Sequence, residues 1–243
     1  MSTALVLSAG GLWAAWQVGV WKSWCARFQP DLIVGASAGS WNGWAIASGC
    51  TPAELADLWL DPQIGRIFQF GPHPTGLLRP EMLYEKSREL FARFRPKTRF
   101  ALTAVEVPRM RLHIFETREI TWRHLAASCS IPFGFPPVTI EGKWYVDGGF
   151  RGALPLWAAQ QLGATRAVAL NVLNTALFRT LHRTMLMPRA SRKLNVMRLE
   201  PSQSLGSLRG AVVWSRTNVE RWIELGERDG DAAATLLETS ITM

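Results

Sequence analysis

Three short stretches carry residue types that could do chemistry together. The first is Gly35-Ala36-Ser37-Ala38-Gly39, placed between the apolar run Leu32-Ile33-Val34 and a second apolar run from Ser40 to Ser48. Strand, tight turn and helix follow from that pattern, which is the geometry of a nucleophile elbow. The small neighbours of Ser37 let the backbone bend sharply, and its Oγ would point up from the sheet edge beside the first amides of the helix, where negative charge is favoured. The second is Ser8-Ala9-Gly10-Gly11, after the apolar run Ala4 to Leu7. A glycine pair at a strand-to-helix turn can aim free amides at a phosphate or at the oxyanion of an acyl-transfer intermediate. The third is Val146-Asp147-Gly148-Gly149, at the end of a short strand beginning at Lys143. Each string alone is compatible with a plain packing turn. Together they supply a nucleophile, a carboxylate to take its proton and donors for the developing charge.

The elements that must position these groups alternate between strand and helix. Ala4 to Leu7 reads as a buried strand, and Leu12 to Phe28 as a helix with tryptophans at 13, 16, 21 and 24, stopped by Gln29-Pro30. Half of the twelve tryptophans precede position 45, which suits layer packing; Trp13 has the alternative of lining an acyl pocket or a membrane interface. Thr51-Pro52-Ala53-Glu54 is a capping box that opens a helix to Leu60. The stretch from Asp61 to Arg79 is Gly/Pro-rich, has little regular signal and suits a lid, an entrance or a surface connection. A helix is expected from Pro80 to Phe94, strands over Phe100 to Val107 and Arg111 to Phe115, and a short helix over Thr121 to Ser128. A hairpin, Val138 to Ile140 and Trp144 to Val146, delivers Asp147. Helix Pro155 to Leu162, strand Arg166 to Leu173 and final helices Trp214 to Leu225 and Asp231 to Leu237 complete the pattern. Such alternation predicts an α/β fold, a three-layer α/β/α sandwich on a mainly parallel sheet, with the site at the carboxyl ends of the strands.

With these strings in place, the chain resembles the patatin-like phospholipases, lipid acyl hydrolases with a Ser-Asp dyad. The resemblance rests on Ala9-Gly10-Gly11, Gly35 to Gly39, Asp147-Gly148-Gly149 and the stretch Ala126 to Pro132 followed by Phe135-Pro136-Pro137-Val138. It spans residues 3 to 173 and returns weakly around Asn218 to Gly226. It implies Ser37 and Asp147 as catalytic residues, Gly10, Gly11 and Leu12 as the oxyanion hole, Gly35, Gly39, Gly148 and Gly149 as motif glycines, a fatty-acyl ester of a phospholipid or related lipid as substrate, an acyl-enzyme intermediate, and no metal or organic cofactor. One departure stands out. The family's oxyanion string carries a basic residue where this chain has Trp13, with Ala14 in place of a glycine. A binding module that has lost activity is therefore an alternative, as are an acyltransferase or carboxylesterase on the same scaffold. His182 follows Asp147 in the order Ser, acid, His, which keeps a Ser-His-Asp site as a mechanistic rival.

The 243 residues, 48% apolar, suffice for one large domain over 1–243, with no linker, repeat or low-complexity segment dividing it. Cys25, Cys50 and Cys129 lack metal-ligand or CxxC spacing, which argues against zinc and a disulfide framework and points to the cytoplasm. Each is expected to pack as a small hydrophobe, and for Cys129, near the dyad strand, a reactive thiol is the alternative. Residues 1 to 21 hold no charged side chain, yet Ser8 to Gly11 and Gln17 interrupt the apolar run and no basic residues precede it, so neither a signal peptide nor a membrane span is expected. The net charge is +8, and the segment Arg179 to Arg198, set in a less regular region of about 174–200, interleaves arginines with leucines and methionines. That surface suits peripheral contact with anionic lipid. No nucleic-acid recognition motif accompanies it.

Overall fold

The computed structural model describes residues 2–73, 76–173, 190–191 and 193–242. In chain order the elements are β1 (Thr3–Leu7), α1 (Ala15–Trp24), β2 (Leu32–Ala36), α2 (Ala38–Ala47), α3 (Pro52–Leu60), β3 (Phe70–His73), β4 (Gly76–Leu78), α4 (Glu81–Arg93) and β5 (Arg99–Val107). There follow β6 (Arg111–Glu116), α5 (Trp122–Ser128), β7 (Val138–Ile140), β8 (Lys143–Asp147), α6 (Gly149–Gly152), α7 (Leu156–Gln161), β9 (Arg166–Leu170), β10 (Asn195–Leu199), α8 (Arg216–Ala232) and α9 (Ala234–Thr242).

One sheet organises them, in the order β10-β9-β1-β2-β5-β8-β7, with β6 also paired to β5. Strands β10, β9, β1, β2 and β5 run parallel, while β6, β7 and β8 make antiparallel pairs at one end. The central strands are buried on both faces, as expected of a parallel sheet covered by helices. Alternation divides each strand between two layers. Leu5, Leu7, Ile33, Phe100 and Leu102 pack with α1, α2 and α8, and Ala4, Val6, Leu32, Val34 and Ala101 pack with α7.

The tryptophans of α1 serve the first layer. Trp16 Nε1 donates to Asp229 Oδ2 at 2.7 Å and Trp24 Nε1 to the Gly230 carbonyl at 2.8 Å, both on α8. The two helices touch backbone to backbone, because a Cβ on Gly226 would overlap the Trp16 carbonyl. That contact also explains why α8 runs through Gly226 and Gly230, where the sequence suggests two shorter helices: packing against α1 outweighs the roughly 1 kcal/mol helix penalty of each glycine.

The capping box at Thr51 and Glu54 is present. The described residues of the segment 61–79, without a regular signal in the sequence, form a 3-10 helix, Pro62–Phe68, and the antiparallel pair β3–β4. This segment gains its order from neighbours rather than from propensity. Lys86 Nζ holds Asp61 Oδ2 at 2.8 Å at its start, and the Leu77 and Leu78 amides both donate to the Gly134 carbonyl near its end. Much of the basic stretch Arg179 to Arg198, with His182, lies outside the described residues; its last residues enter β10. Among the described residues no helix is long and apolar enough to cross a membrane.

Candidate active site

Strand register brings the two chemical strings together. β6 occupies one edge of β5 from Ala101 to Glu106, so β2 and β8 must share the other edge. β2 runs along it parallel and ends with Ala36 opposite Thr103, while β8 runs antiparallel and ends with Asp147 opposite Ala104. Their carboxyl ends meet head to head across one peptide step of β5. Ser37, the residue after β2, therefore faces the last residue of β8.

The result is a short hydrogen bond. Ser37 Oγ donates to Asp147 Oδ2 at 2.5 Å, and both residues are buried. Ser37 has φ 53° and ψ −133°, a conformation that non-glycine residues rarely adopt and that costs about 1–3 kcal/mol. Its neighbours hold it there. The Ser37 amide donates to Ser128 Oγ at 3.0 Å, and the same hydroxyl donates to the Thr103 carbonyl at 2.9 Å, which ties the elbow to β5. Ser40 Oγ donates to the Ser37 carbonyl at 2.6 Å. Gly39 permits the close packing of the elbow on β1, since a Cβ there would lie 2.5 Å from the Leu7 and Ser8 carbonyl oxygens.

Asp147 is fixed with equal care. The Gly149 amide donates to its Oδ1 at 2.6 Å, the Phe150 amide adds a further bond, and its own amide donates to the Ser130 carbonyl at 2.9 Å. Burial raises its pKa to about 7, against the opposing pull of the bonds from Ser37, Gly149 and Phe150. A carboxylate that titrates near neutrality is well matched to accepting and returning a proton.

The glycine turn lies on the other side. Gly10 precedes a short 3-10 helix, Gly11–Ala14, and Gly11 and Leu12 line one cavity with Ser37 and Ala38. The Ser8 and Ala9 amides are taken by the Leu170 and Ala153 carbonyls, while among the described residues no acceptor is matched to the amides of Gly10, Gly11 or Leu12. A buried network sets this turn: Gln17 Nε2 donates to the Ser8 carbonyl at 3.0 Å, Ser8 Oγ accepts from the Val172 amide, and Asn42 Nδ2 donates to Gln17 Oε1. The cavity itself is narrow, about 40 Å³, and otherwise apolar, with Trp41, Trp59, Ile64, Ile67, Phe68 and Phe135 in its walls.

Here the structure decides between alternatives that the sequence leaves open. Trp13 does not line this cavity. It is 2% exposed, and Gly210 and Trp222 lie beside its indole, so the residue standing where a basic side chain is usual is absorbed into the core. Trp41 and Trp59, from α2 and α3, take the wall position instead. Cys129 does line the cavity, but burial and the neighbouring Asp147 charge hold its thiol well above the ordinary range, away from the reactive thiolate. His124 caps its own helix through Thr121, and His113 pairs with Glu106. Among the described residues no histidine bonds Ser37 or Asp147, and no cluster of metal ligands occurs. In the sequence Gln17 stands out only as a polar break in an apolar run and Ser128 only by its place in the stretch Ala126 to Pro132, while Asn42 carries no local signal.

Comparison with known proteins bears on the same residues. A family model described as patatin-like phospholipase matches residues 5–159. The lysophospholipase nte1 of Aspergillus niger is 29% identical over 184 residues, covering 70% of this chain and 12% of that protein. The lysophospholipase NTE1 of Mycosarcoma maydis is 27% identical over 188 residues, covering 71% and 10%. This chain spans only about a tenth of the length of such relatives. In fold it is similar to the crystal structure of VipD from Legionella pneumophila, with a TM-score of 0.57 at 11% identity, covering 98% of this chain and 67% of that one.

Proposed function

The chain belongs to the patatin-like phospholipase family, and from that premise we propose that it is a serine lipid acyl hydrolase working through a Ser37-Asp147 dyad. The observation that carries the reading is the 2.5 Å bond to a buried carboxylate, with its pKa near 7, from the Oγ of Ser37, which lines an apolar cavity. Ser37 Oγ attacks the ester carbonyl as its proton passes to Asp147. The amides of Gly10, Gly11 and Leu12 receive the oxyanion, with the helix start at Ala38 adding its field. Collapse of the tetrahedral intermediate expels the alcohol, which takes the proton from Asp147 and leaves the acyl group on Ser37. Asp147, again ionised, accepts a proton from water as the water attacks the acyl-enzyme; collapse of this second intermediate releases the fatty acid as Asp147 returns the proton to Ser37 Oγ.

The amides of Gly11 and Leu12, with no acceptor matched to them among the described residues, favour an active turn over a module that has lost its oxyanion hole, and Trp13 is buried away from the cavity. The apolar walls favour a fatty-acyl chain, and the names of the lysophospholipase relatives support a lysolipid or phospholipid as its source. Product analysis by mass spectrometry tests this, with wild type and Ser37→Ala offered phospholipids, lysolipids, acylglycerols and short-chain esters. Serine-dependent release of fatty acid from the lipids is expected. Release from simple esters alone would leave a carboxylesterase, and no serine-dependent release from folded protein would overturn the hydrolase reading.

A further inference from the structure

Most of the large apolar side chains exposed among the described residues gather around one place. Phe133 is 82% exposed, Phe70 70% and Leu77 58%. They come from two segments tied together by the Leu77 and Leu78 amides on the Gly134 carbonyl. Leu208, Val212 and Val213 are exposed on a third segment, around the 3-10 turn Leu208–Ala211. That turn packs against the glycine string, since a Cβ on Gly11 would overlap the Ala211 carbonyl. Just beyond it, Trp214 Nε1 donates to the Trp59 carbonyl at 2.9 Å, and the Trp214 side chain covers Gly65. Gly11, Trp59, Ile64, Ile67 and Phe68 are walls of the Ser37 cavity. Six of the eight large apolar residues exposed among the described residues thus flank the walls of a single cavity, from three separate parts of the chain.

The charge on these segments is one-sided. Residues 62–79, 131–137 and 203–215 contain Arg66, Arg79 and Arg209 and no aspartate or glutamate. All three arginines are exposed, and none belongs to the ion pairs found among the described residues. An apolar rim with unpaired arginines and no acid is costly to leave in water and matches a surface that is apolar within and negative at its boundary.

We propose that this rim, with Phe70, Leu77 and Phe133 on one side and Leu208, Val212 and Val213 on the other, docks the protein on an anionic phospholipid surface, so that the Ser37 cavity opens directly onto the lipid. The proposal rests on the hydrolase reading for its purpose but not for its test. It is separate from the basic stretch Arg179 to Arg198, because the residues that carry it lie at the cavity itself. Phenylalanines enter the acyl boundary, and Arg66, Arg79 and Arg209 meet phosphates at the level above.

The experiment measures sedimentation of Ser37→Ala protein with vesicles of phosphatidylcholine alone and of phosphatidylcholine mixed with phosphatidylglycerol. The Ser37→Ala protein is expected to bind the mixed vesicles more tightly than the neutral ones. Adding Phe70→Ser and Phe133→Ser should weaken that binding by at least about tenfold, since each ring gives up the burial of a large side chain. Adding Arg66→Glu and Arg209→Glu instead should remove the preference for anionic vesicles. With Ser37 restored, both double variants should cleave a water-soluble short-chain ester at the wild-type rate, which also shows that they fold. Failure of the Ser37→Ala protein to bind either vesicle, or equal binding by the rim variants, overturns docking at this rim. Because binding is read on a protein without its nucleophile, absence of lipid hydrolysis would sink the functional reading and leave this one standing.

Discussion

Replacing Asp147 with asparagine should abolish turnover and, at neutral and alkaline pH, make the protein more stable. The carboxyl is buried, and its pKa rises from 3.8 to about 7 because desolvation penalises the charged form more than three hydrogen bonds favour it. In the unfolded chain the group ionises near its ordinary value. Between about pH 4 and pH 7 the folded state therefore binds a proton that the unfolded state has released, and stability falls as pH rises, by about 1.4 kcal/mol per unit. Below the unfolded value the penalty is absent; above the folded value it is complete, at about 4 kcal/mol. Asparagine keeps the shape and both contacts, its oxygen accepting from Gly149 and its amide donating to Ser37 Oγ in a bond of reversed direction, but it carries no charge to desolvate. Urea unfolding of both proteins at pH 5 and pH 8 measures the difference. The advantage of Asp147→Asn should grow by about 2.5 kcal/mol between the two, while hydrolysis is lost at both. Parallel pH profiles for the two proteins would refute a buried, upshifted carboxylate. Full activity in the asparagine variant would refute its role as base.

Other expectations follow from the same geometry. With ionised Asp147 as the proposed proton acceptor, kcat/KM for a soluble ester should rise with pH and level off above about 7; a profile already flat at pH 5 would contradict this. Ser128→Ala removes the hydroxyl that joins the Ser37 amide to the Thr103 carbonyl, and should lower kcat by at least about tenfold, with stability reduced by about 1–3 kcal/mol and KM little changed. Gly226→Ala drives a methyl into the Trp16 carbonyl and should cost about 3 kcal/mol in thermal or urea unfolding, whereas a cost under about 0.5 kcal/mol would mean that α1 and α8 separate freely. Cys129→Ala should remain active, and the native Cys129 thiol should resist iodoacetamide at pH 8 until the protein is unfolded.

Ser37 and Asp147 stand out in the sequence because the proposed chemistry and the turns both demand rare local strings. A nucleophile on a strained strand-to-helix turn needs small residues on both sides, and Gly35 to Gly39 supplies them within five positions. The alternation of apolar runs with helical patterns likewise gave the layer order, since a strand buried on both faces is apolar throughout. What no local pattern contains is register. That Ser37 meets Asp147 depends on β2 and β8 sharing an edge of β5 and stopping at adjacent residues, Thr103 and Ala104, a matter of three strands and of β6 filling the opposite edge. The raised pKa of Asp147 is the summed effect of everything packed around it, and the fate of Trp13 was settled by the neighbours at Gly210 and Trp222. Residues 61–79 lack periodicity because their order comes from Lys86, Gly134 and Trp214, each distant in sequence. Short-range chemistry sets which residues can react, and only the packing of remote segments decides how they meet and what they face.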